Sequence, residues 1–118
     1  AAGCVTLADH LKKNPHPGRT ALLFGAMKDK DHRRMLGAFD GLVDRIIYTA
    51  PPLARAADPQ HLVRLRKGTI ARSIPDALAR ARRAAGERGR VVVAGSIFLV
   101  AEVRALATGV RTDPPIAM

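Results

Sequence analysis

The 118-residue sequence predicts an α/β domain built on a mostly parallel sheet. Three observations support this prediction. Short apolar runs recur along the chain, and the clearest of them, VVVA at residues 91–94, contains no polar residue. Segments with apolar residues at helical spacing separate these runs, and the connections are short. This alternation is typical of parallel sheets, whose strands are covered on both faces by the crossover helices.

The segment from Arg90 to Ala107 predicts a strand, a tight turn and a helix, and the rest of the chain is arranged around it. Gly95 and Ser96 interrupt the apolar run. The helix that follows has these apolar positions: Ile97, Val100, Ala101, Val103, Leu106 and Ala107. Gly95 lets the backbone approach a ligand closely, and Ser96 can cap the helix or hydrogen-bond to that ligand. We expect this turn to face a ligand, because open α/β sheets bind ligands at the carboxyl ends of their strands.

The first half of the chain predicts two helices and two strands. A helix over residues 3–13 starts almost at the first residue, so we expect the chain to lack a strand that would precede it. Apolar runs predict strands at residues 19–25 and 45–49. Between them, Asp31 can cap a helix that runs to about Leu42.

The second half continues the alternation. After a polar, alanine-rich linker, a helix over residues 59–67 begins at Asp58-Pro59. Residues 69–72 predict a minimal strand, and Ser73 begins a helix through Ala85. Four strands and five helices joined by right-handed crossovers predict a Rossmann-like three-layer sandwich. Residues 110–118 are expected to be a loosely ordered tail.

Composition sets limits on partners and compartment. The net charge is +10, but arginine outnumbers lysine 15 to 5 and aromatic residues are scarce, so the charge alone does not favour nucleic-acid binding. No apolar run approaches the length that spans a membrane, and no signal peptide is visible. The single cysteine, Cys4, suits a reducing compartment, and we expect it to be a small buried residue on the first helix. These features predict a cytoplasmic protein.

The strong sequence signatures of nucleotide and metal sites are missing. There is no G-x-G-x-x-G, no Walker A loop and no pair of cysteines. His10, His16, His32 and His61 are scattered along the chain. We interpret them as surface residues, because metal sites need clustered donors.

The loop from Lys28 to Asp31 has two interpretations. Two ammonium groups that follow a strand and precede a helix amino terminus can attract an anion. Alternatively, Asp31 caps the helix and the lysines point into water. Gly95-Ser96 also follows a parallel strand, so this turn and the Lys28 to Asp31 loop should lie at one edge of the sheet. The shared edge favours ligand binding over a purely structural role for both segments.

Three segments resemble a known family. They read LLFGAMKDKD, RIIYTAPP and VVVAGSIFLVAEVR, and the likeness runs from Ala2-Gly3 through Leu106. They are similar to the carboxy-terminal domain of folylpolyglutamate synthase/dihydrofolate synthase, which belongs with the Mur ligases. On this resemblance, residues 1–109 form a Mur-ligase-type carboxy-terminal domain.

The resemblance implies an ATP-dependent ligase that adds glutamate to folate or dihydropteroate through an acyl phosphate. It implies that Ser96, together with Gly95, contacts the glutamate, and that Lys28, Asp29 and Lys30 line the cleft between two domains. ATP and Mg²⁺ would be held in the full-length enzyme, where a P-loop domain carries the magnesium site. No catalytic residue and no metal ligand is carried over to this chain.

Two parts of the family pattern are absent: the Asp-Gly-Ala-His-Asn motif, expected on a strand just before Ala2-Gly3, and the amino-terminal P-loop domain. The chain is therefore expected to be inactive alone, because an acyl phosphate must be shielded from water between two closing surfaces. Two alternatives remain open at this point. One is another Mur-type amino-acid ligase domain, and the other is a stand-alone basic module that binds nucleic acid or an acidic partner.

Overall fold

The computed structural model describes residues 2–108 and 116–117 and confirms the α/β sandwich. Its middle layer is a parallel sheet in the order β3-β2-β1-β4-β5. In chain order the elements are α1 (Ala2–Lys13), β1 (Thr20–Phe24), α2 (His32–Gly37), β2 (Arg45–Tyr48), α3 (Pro59–Leu65), β3 (Thr69–Ile70), α4 (Ile74–Ala85), β4 (Arg90–Ala94), α5 (Ile97–Thr108) and β5 (Ile116–Ala117).

The helices cover the two faces of the sheet in the order that right-handed crossovers require. α1, α2 and α3 pack on one face, where Leu22 and Phe24 of β1 point. α4 and α5 pack on the other face, against Ala21 and Leu23 of the same strand. All five residues of β1 are buried, which explains why its sequence is an apolar run without alternation.

The pairing of β1 with β4 forms the centre of the sheet. Thr20 is opposite Arg90 and Phe24 is opposite Ala94, so the two strands end at the same level. One residue further on, the Gly25 amide donates to the Ala94 carbonyl oxygen at 3.3 Å. The chain segments that leave β1 and β4 therefore start side by side at the carboxyl edge of the sheet.

The four predicted strands are present, but the helix predicted from Asp31 to about Leu42 is wrong in length. α2 ends at Gly37, and the chain continues in turns with i to i+3 hydrogen bonds through Leu42. Gly41 lies in these turns with a φ of 73°. Phe39 is nevertheless buried in the same core, so its apolar character reflects packing and not helix continuation.

The carboxyl-terminal part adds a strand that was not predicted. Ile116 and Ala117 pair in parallel with Val91 and Val92, which covers one edge of β4. These two residues fall in the segment expected to be a loosely ordered tail. The rest of that segment, residues 110–115 and 118, lies outside the described residues.

Three predicted helix starts are confirmed, and at each of them a side chain caps the helix. Asp31 accepts from the Arg34 amide, Asp58 from the Gln60 amide and Ser73 from the Asp76 amide. These bonds satisfy amide groups that have no partner within their own helix. Within residues 2–108, no helix combines the length and the apolar character needed to cross a lipid bilayer.

Tyr48 makes the stability of the fold sensitive to high pH. Its ring is fully buried edge-on against Phe24, and its hydroxyl donates to the Arg66 carbonyl oxygen at 2.7 Å. Burial raises the pKa of Tyr48 from 10.0 to about 12. Between these values the folded state keeps a proton that the unfolded state has lost, so stability falls as the pH rises.

We expect Tyr48→Phe to lower the free energy of unfolding by about 1 kcal/mol at neutral pH, because the Arg66 carbonyl loses its donor. Above about pH 10 the difference between wild type and variant should shrink, since only the wild type carries the tyrosine linkage. Urea unfolding at neutral pH and at about pH 11 measures both values. A difference that stays constant over this range would contradict the account.

Candidate functional site

The loop of residues 26–31 and the turn of residues 95–96 form one rim at the carboxyl edge of the sheet. They meet because β1 and β4 are neighbours and parallel. Lys30 from the loop and Gly95 and Ser96 from the turn line the same cavity, which has a volume of about 900 Å³ and is closed on one side by α1. The prediction that the two segments share an edge is confirmed.

The turn after β4 requires glycine. Gly95 has a φ of 111°, a conformation that residues with a Cβ rarely adopt. A Cβ at this position would also overlap the Gly25 carbonyl oxygen of the neighbouring strand end. The two strands therefore leave the sheet in backbone contact, which brings Ser96 close to the loop after β1.

Ser96 lies at the start of α5 and is only 7% exposed. Its Oγ accepts a hydrogen bond from the Leu99 amide at 3.4 Å, so it caps the helix as predicted. A hydroxyl that accepts one bond can still donate its own proton to a ligand oxygen. Capping and ligand binding are therefore compatible at this residue.

Cys4 forms part of the wall of this cavity. It is 4% exposed on α1 and lines the cavity together with Gly95. Burial, the strongest influence, raises the pKa of the Cys4 thiol above its ordinary value. The thiol is therefore neutral at neutral pH, which confirms Cys4 as a small buried residue of the first helix.

The loop after β1 is fastened to the segment that precedes α3. The Lys28 amide donates to the Arg55 carbonyl oxygen at 2.7 Å, and the Ala57 amide donates to the Ala26 carbonyl oxygen at 2.8 Å. The Asp29 carboxylate pairs with the exposed Arg55 guanidinium at 3.0 Å. The backbone of this loop is thus held in place before any ligand binds.

The predicted site residues divide between two cavities. Lys30 borders the large cavity together with Gly95 and Ser96. Lys28 borders a second cavity of about 490 Å³ on the α2–α3 side, which Lys30 also borders. Asp29 lines neither cavity and is paired with Arg55. The ligand roles of these residues stay predictions.

Two histidines of the second cavity were not recognised from the sequence. His32 was interpreted as a surface residue but is 8% exposed, and its Nε2 donates to the Met27 carbonyl oxygen at 2.7 Å. The ring of His61 lies edge-on to it, with the centroids 5.4 Å apart. They are 29 positions apart in sequence, and only the packing of α2 on α3 brings them together.

Metal ligands are not assembled in the part of the chain that the structure describes. No three histidine, cysteine, aspartate or glutamate side chains come together there in a way that could hold a metal ion. The carboxylates near the rim are engaged as helix caps or with Arg55. The rim is therefore cationic and suited to anions.

Comparison with known proteins assigns the fold. Residues 1–97 match the family model described as Mur ligase, glutamate ligase domain. This chain belongs to the Mur ligase family. Its domain is the carboxy-terminal one, as the segments at residues 22–31 and 91–104 predicted.

Solved structures of FolC and of folylpolyglutamate synthase resemble the chain over most of its length. Escherichia coli FolC in complex with ADP superposes with a TM-score of 0.81 at 26% identity, covering 90% of this chain and 26% of that one. E. coli FolC with DHPP and ADP gives 0.78 at 26% identity, covering 92% and 27%. Mycobacterium tuberculosis folylpolyglutamate synthase with ADP and AMPPCP gives 0.76 at 24% identity, covering 89% and 27%.

The chain spans about a quarter of the length of these structures. None of the curated proteins matches it. The comparisons thus establish the family and the fold of this domain, and they leave the ligand of the rim to be argued from its chemistry.

We expect Gly95→Ala to destabilise the domain by about 2–4 kcal/mol, because it combines an unfavourable φ with an overlap against Gly25. The matched control is Gly37→Ala at the end of α2, where an added Cβ meets no atom within 4 Å. This control should change stability by less than about 1 kcal/mol. Urea unfolding measures both variants, and equal effects would contradict the tight packing of the turn.

Proposed function

We propose that the chain is the carboxy-terminal domain of an ATP-dependent ligase that adds glutamate to folate, to dihydropteroate or to both. Two lines of support are the match to a glutamate ligase domain and the likeness to FolC structures that contain ADP or DHPP. The observation that carries the proposal is the cavity shared by Lys30 and Ser96. An ammonium group and a hydroxyl that line one cavity are suited to holding the carboxylates of an amino acid.

In this proposal the domain positions the glutamate amine. Ser96 and the backbone at Gly95 hold one end of the glutamate, and Lys30 neutralises a carboxylate. Lys28 and Asp29 line the cleft towards the second domain. The amine attacks the carbonyl carbon of an acyl phosphate, an amide bond forms and inorganic phosphate leaves. The domain contributes by orientation and by excluding water, which are effective ways to accelerate an acyl transfer.

ATP and Mg²⁺ would be held mainly by a further, amino-terminal P-loop domain. The described residues offer no cluster that fits a metal ion, so we assign the magnesium ligands elsewhere and derive no step from them. The cations of the rim fit the phosphates of ATP in charge and would form one side of the nucleotide cleft. Ile97, which is 91% exposed beside Ser96, would be covered when the two domains close. A cytoplasmic location belongs to the same proposal.

In the complete ligase, we expect Ser96→Ala to raise the KM for glutamate about tenfold and to leave kcat less affected, because a hydrogen bond to a carboxylate is lost. The matched control is Ser73→Ala. Ser73 also caps a helix through its Oγ but lines neither cavity, so this variant should keep the KM. Steady-state kinetics with glutamate as the varied substrate separate the two variants.

An unchanged KM in Ser96→Ala would remove this residue from the glutamate site. Turnover with another amino acid in place of glutamate would favour a different Mur-type ligase. The isolated chain should form no product with ATP, folate and glutamate, and product formation by the chain alone would contradict the two-domain proposal.

A further inference from the structure

The second cavity of the rim has a character of its own. It has a volume of about 490 Å³ and lies between α2, α3 and the loop after β1. Its charged and titratable lining consists of Lys28, Lys30, Asp31, His32, Arg33, Asp58 and His61. Neither Gly95 nor Ser96 borders it, and Lys30 is the lining residue common to both cavities. We refer to it below as the α2–α3 cavity.

The cations of the α2–α3 cavity have no anionic partner within the described residues. The ion pairs formed among the described residues join Arg55 to Asp29, Arg66 to Asp40 and Arg80 to Asp76. Lys28, Lys30 and Arg33 take part in none of them. Three permanent positive charges on one small cavity repel one another, and a bound anion removes this repulsion.

The two carboxylates of the cavity lining are engaged locally. Asp31 accepts from the Arg34 amide at 3.2 Å, and Asp58 accepts from the Gln60 amide at 2.9 Å. Each acts as a helix cap on the backbone, and neither forms a salt bridge with a cavity cation. Three cations against these two carboxylates leave the lining with a formal net charge of +1, with the histidines not counted.

The backbone that holds these groups is already ordered. Hydrogen bonds from the Lys28 amide to Arg55 and from the Ala57 amide to Ala26 join the two sides of the cavity. The His32 side chain ties the start of α2 to Met27, and the His61 ring packs against it from α3. A ligand then orders only the ends of a few side chains, which limits the entropic cost of binding.

We propose that the α2–α3 cavity is a second anion site, separate from the Ser96 cavity, that binds a multiply charged oxyanion. Lys28, Lys30 and Arg33 supply the charge, and His61 and His32 supply the wall. The proposal rests on the proposed function only for the choice of probes. Within a folate ligase, such an oxyanion is either a chain of phosphates or a run of γ-linked carboxylates, and both carry several negative charges in sequence.

The test is a titration of the ¹⁵N-labelled chain with two probes, tripolyphosphate and γ-linked triglutamate, at physiological salt. Either probe should shift the amide resonances of residues 28–33 and 61 in a saturable manner. We expect Arg33→Gln to raise the dissociation constant of each bound probe about fivefold to tenfold, because a charge-assisted contact is lost. Ser73→Ala should leave it unchanged, because Ser73 caps α4 and lines neither cavity.

The matched control for charge is Arg104→Gln, which removes one exposed arginine on α5 that lines neither cavity. It should change binding less than twofold, since an isolated surface charge is screened by salt. Thermal unfolding confirms that each variant is folded. Binding of one probe alone identifies phosphates or carboxylates as the natural class, and binding of both supports a general oxyanion site.

Three results would overturn the proposal. The first is that Arg33→Gln and Arg104→Gln weaken probe binding equally. The second is that Arg33→Gln binds the probes as tightly as the wild type. The third is that the probes shift only the resonances of residues outside the cavity. If Ser96→Ala raises the glutamate KM of the ligase but Arg33→Gln binds the probes normally, the second site is refuted and the proposed function stands. If Ser96→Ala leaves the glutamate KM unchanged but Arg33→Gln weakens probe binding, the oxyanion site stands and the glutamate site at Ser96 is refuted.

Discussion

The parallel pairing of β1 with β4 is the constraint on which the rest of the structure depends. In a chain of alternating strands and helices these two strands are far apart in sequence, yet they lie in register from Thr20 to Phe24 against Arg90 to Ala94. Their apolar side chains are covered on both faces, so a shift of this register would disrupt both cores. Gly25 and Gly95 then bring the two strand ends into backbone contact, and the loop and the turn beyond them form one rim.

The electrostatics of the rim follow from local pairing. Its carboxylates already have partners within the domain, because Asp31 and Asp58 accept hydrogen bonds from helix amides and Asp29 pairs with Arg55. Lys28, Lys30 and Arg33 have no such partner among the described residues. The three cations outnumber the two capping carboxylates of the α2–α3 cavity, so its surface is positive. In the proposed ligase, such a surface would attract phosphates and carboxylates.

The sequence predicted much of this arrangement, since apolar runs and helix caps are local signals. Val91–Ala94 and Gly95-Ser96 predicted a strand and a turn at the edge of the sheet, and Asp31, Asp58 and Ser73 marked helix starts. It failed where apolar residues serve packing in irregular turns, as Phe39 does after α2. It also missed the contact of His32 with His61, because neither residue has a neighbour in sequence that signals the other. The strand of Ile116 and Ala117 was missed since two residues carry too little periodicity to predict an edge strand.

The division of the rim into two cavities likewise could not be predicted from spacing. Lys28 and Lys30 are two positions apart, and only the folded loop shows that Lys30 borders both cavities while Lys28 borders one. Of these two lysines, Lys30 lines the cavity of Ser96 and Lys28 does not. The adjacency of the loop and the turn is the claim that supports both proposed sites.

A nitroxide label at residue 30 tests this adjacency most directly. In a Cys4→Ala background, Lys30→Cys carries the label, and amide resonances near it lose intensity. The structure predicts a strong loss for residues 95–97, which follow the carboxyl end of β4, and a weaker loss for residues 86–89, which precede its amino end. Equal losses in the two segments, or a stronger loss at residues 86–89, would contradict the shared rim.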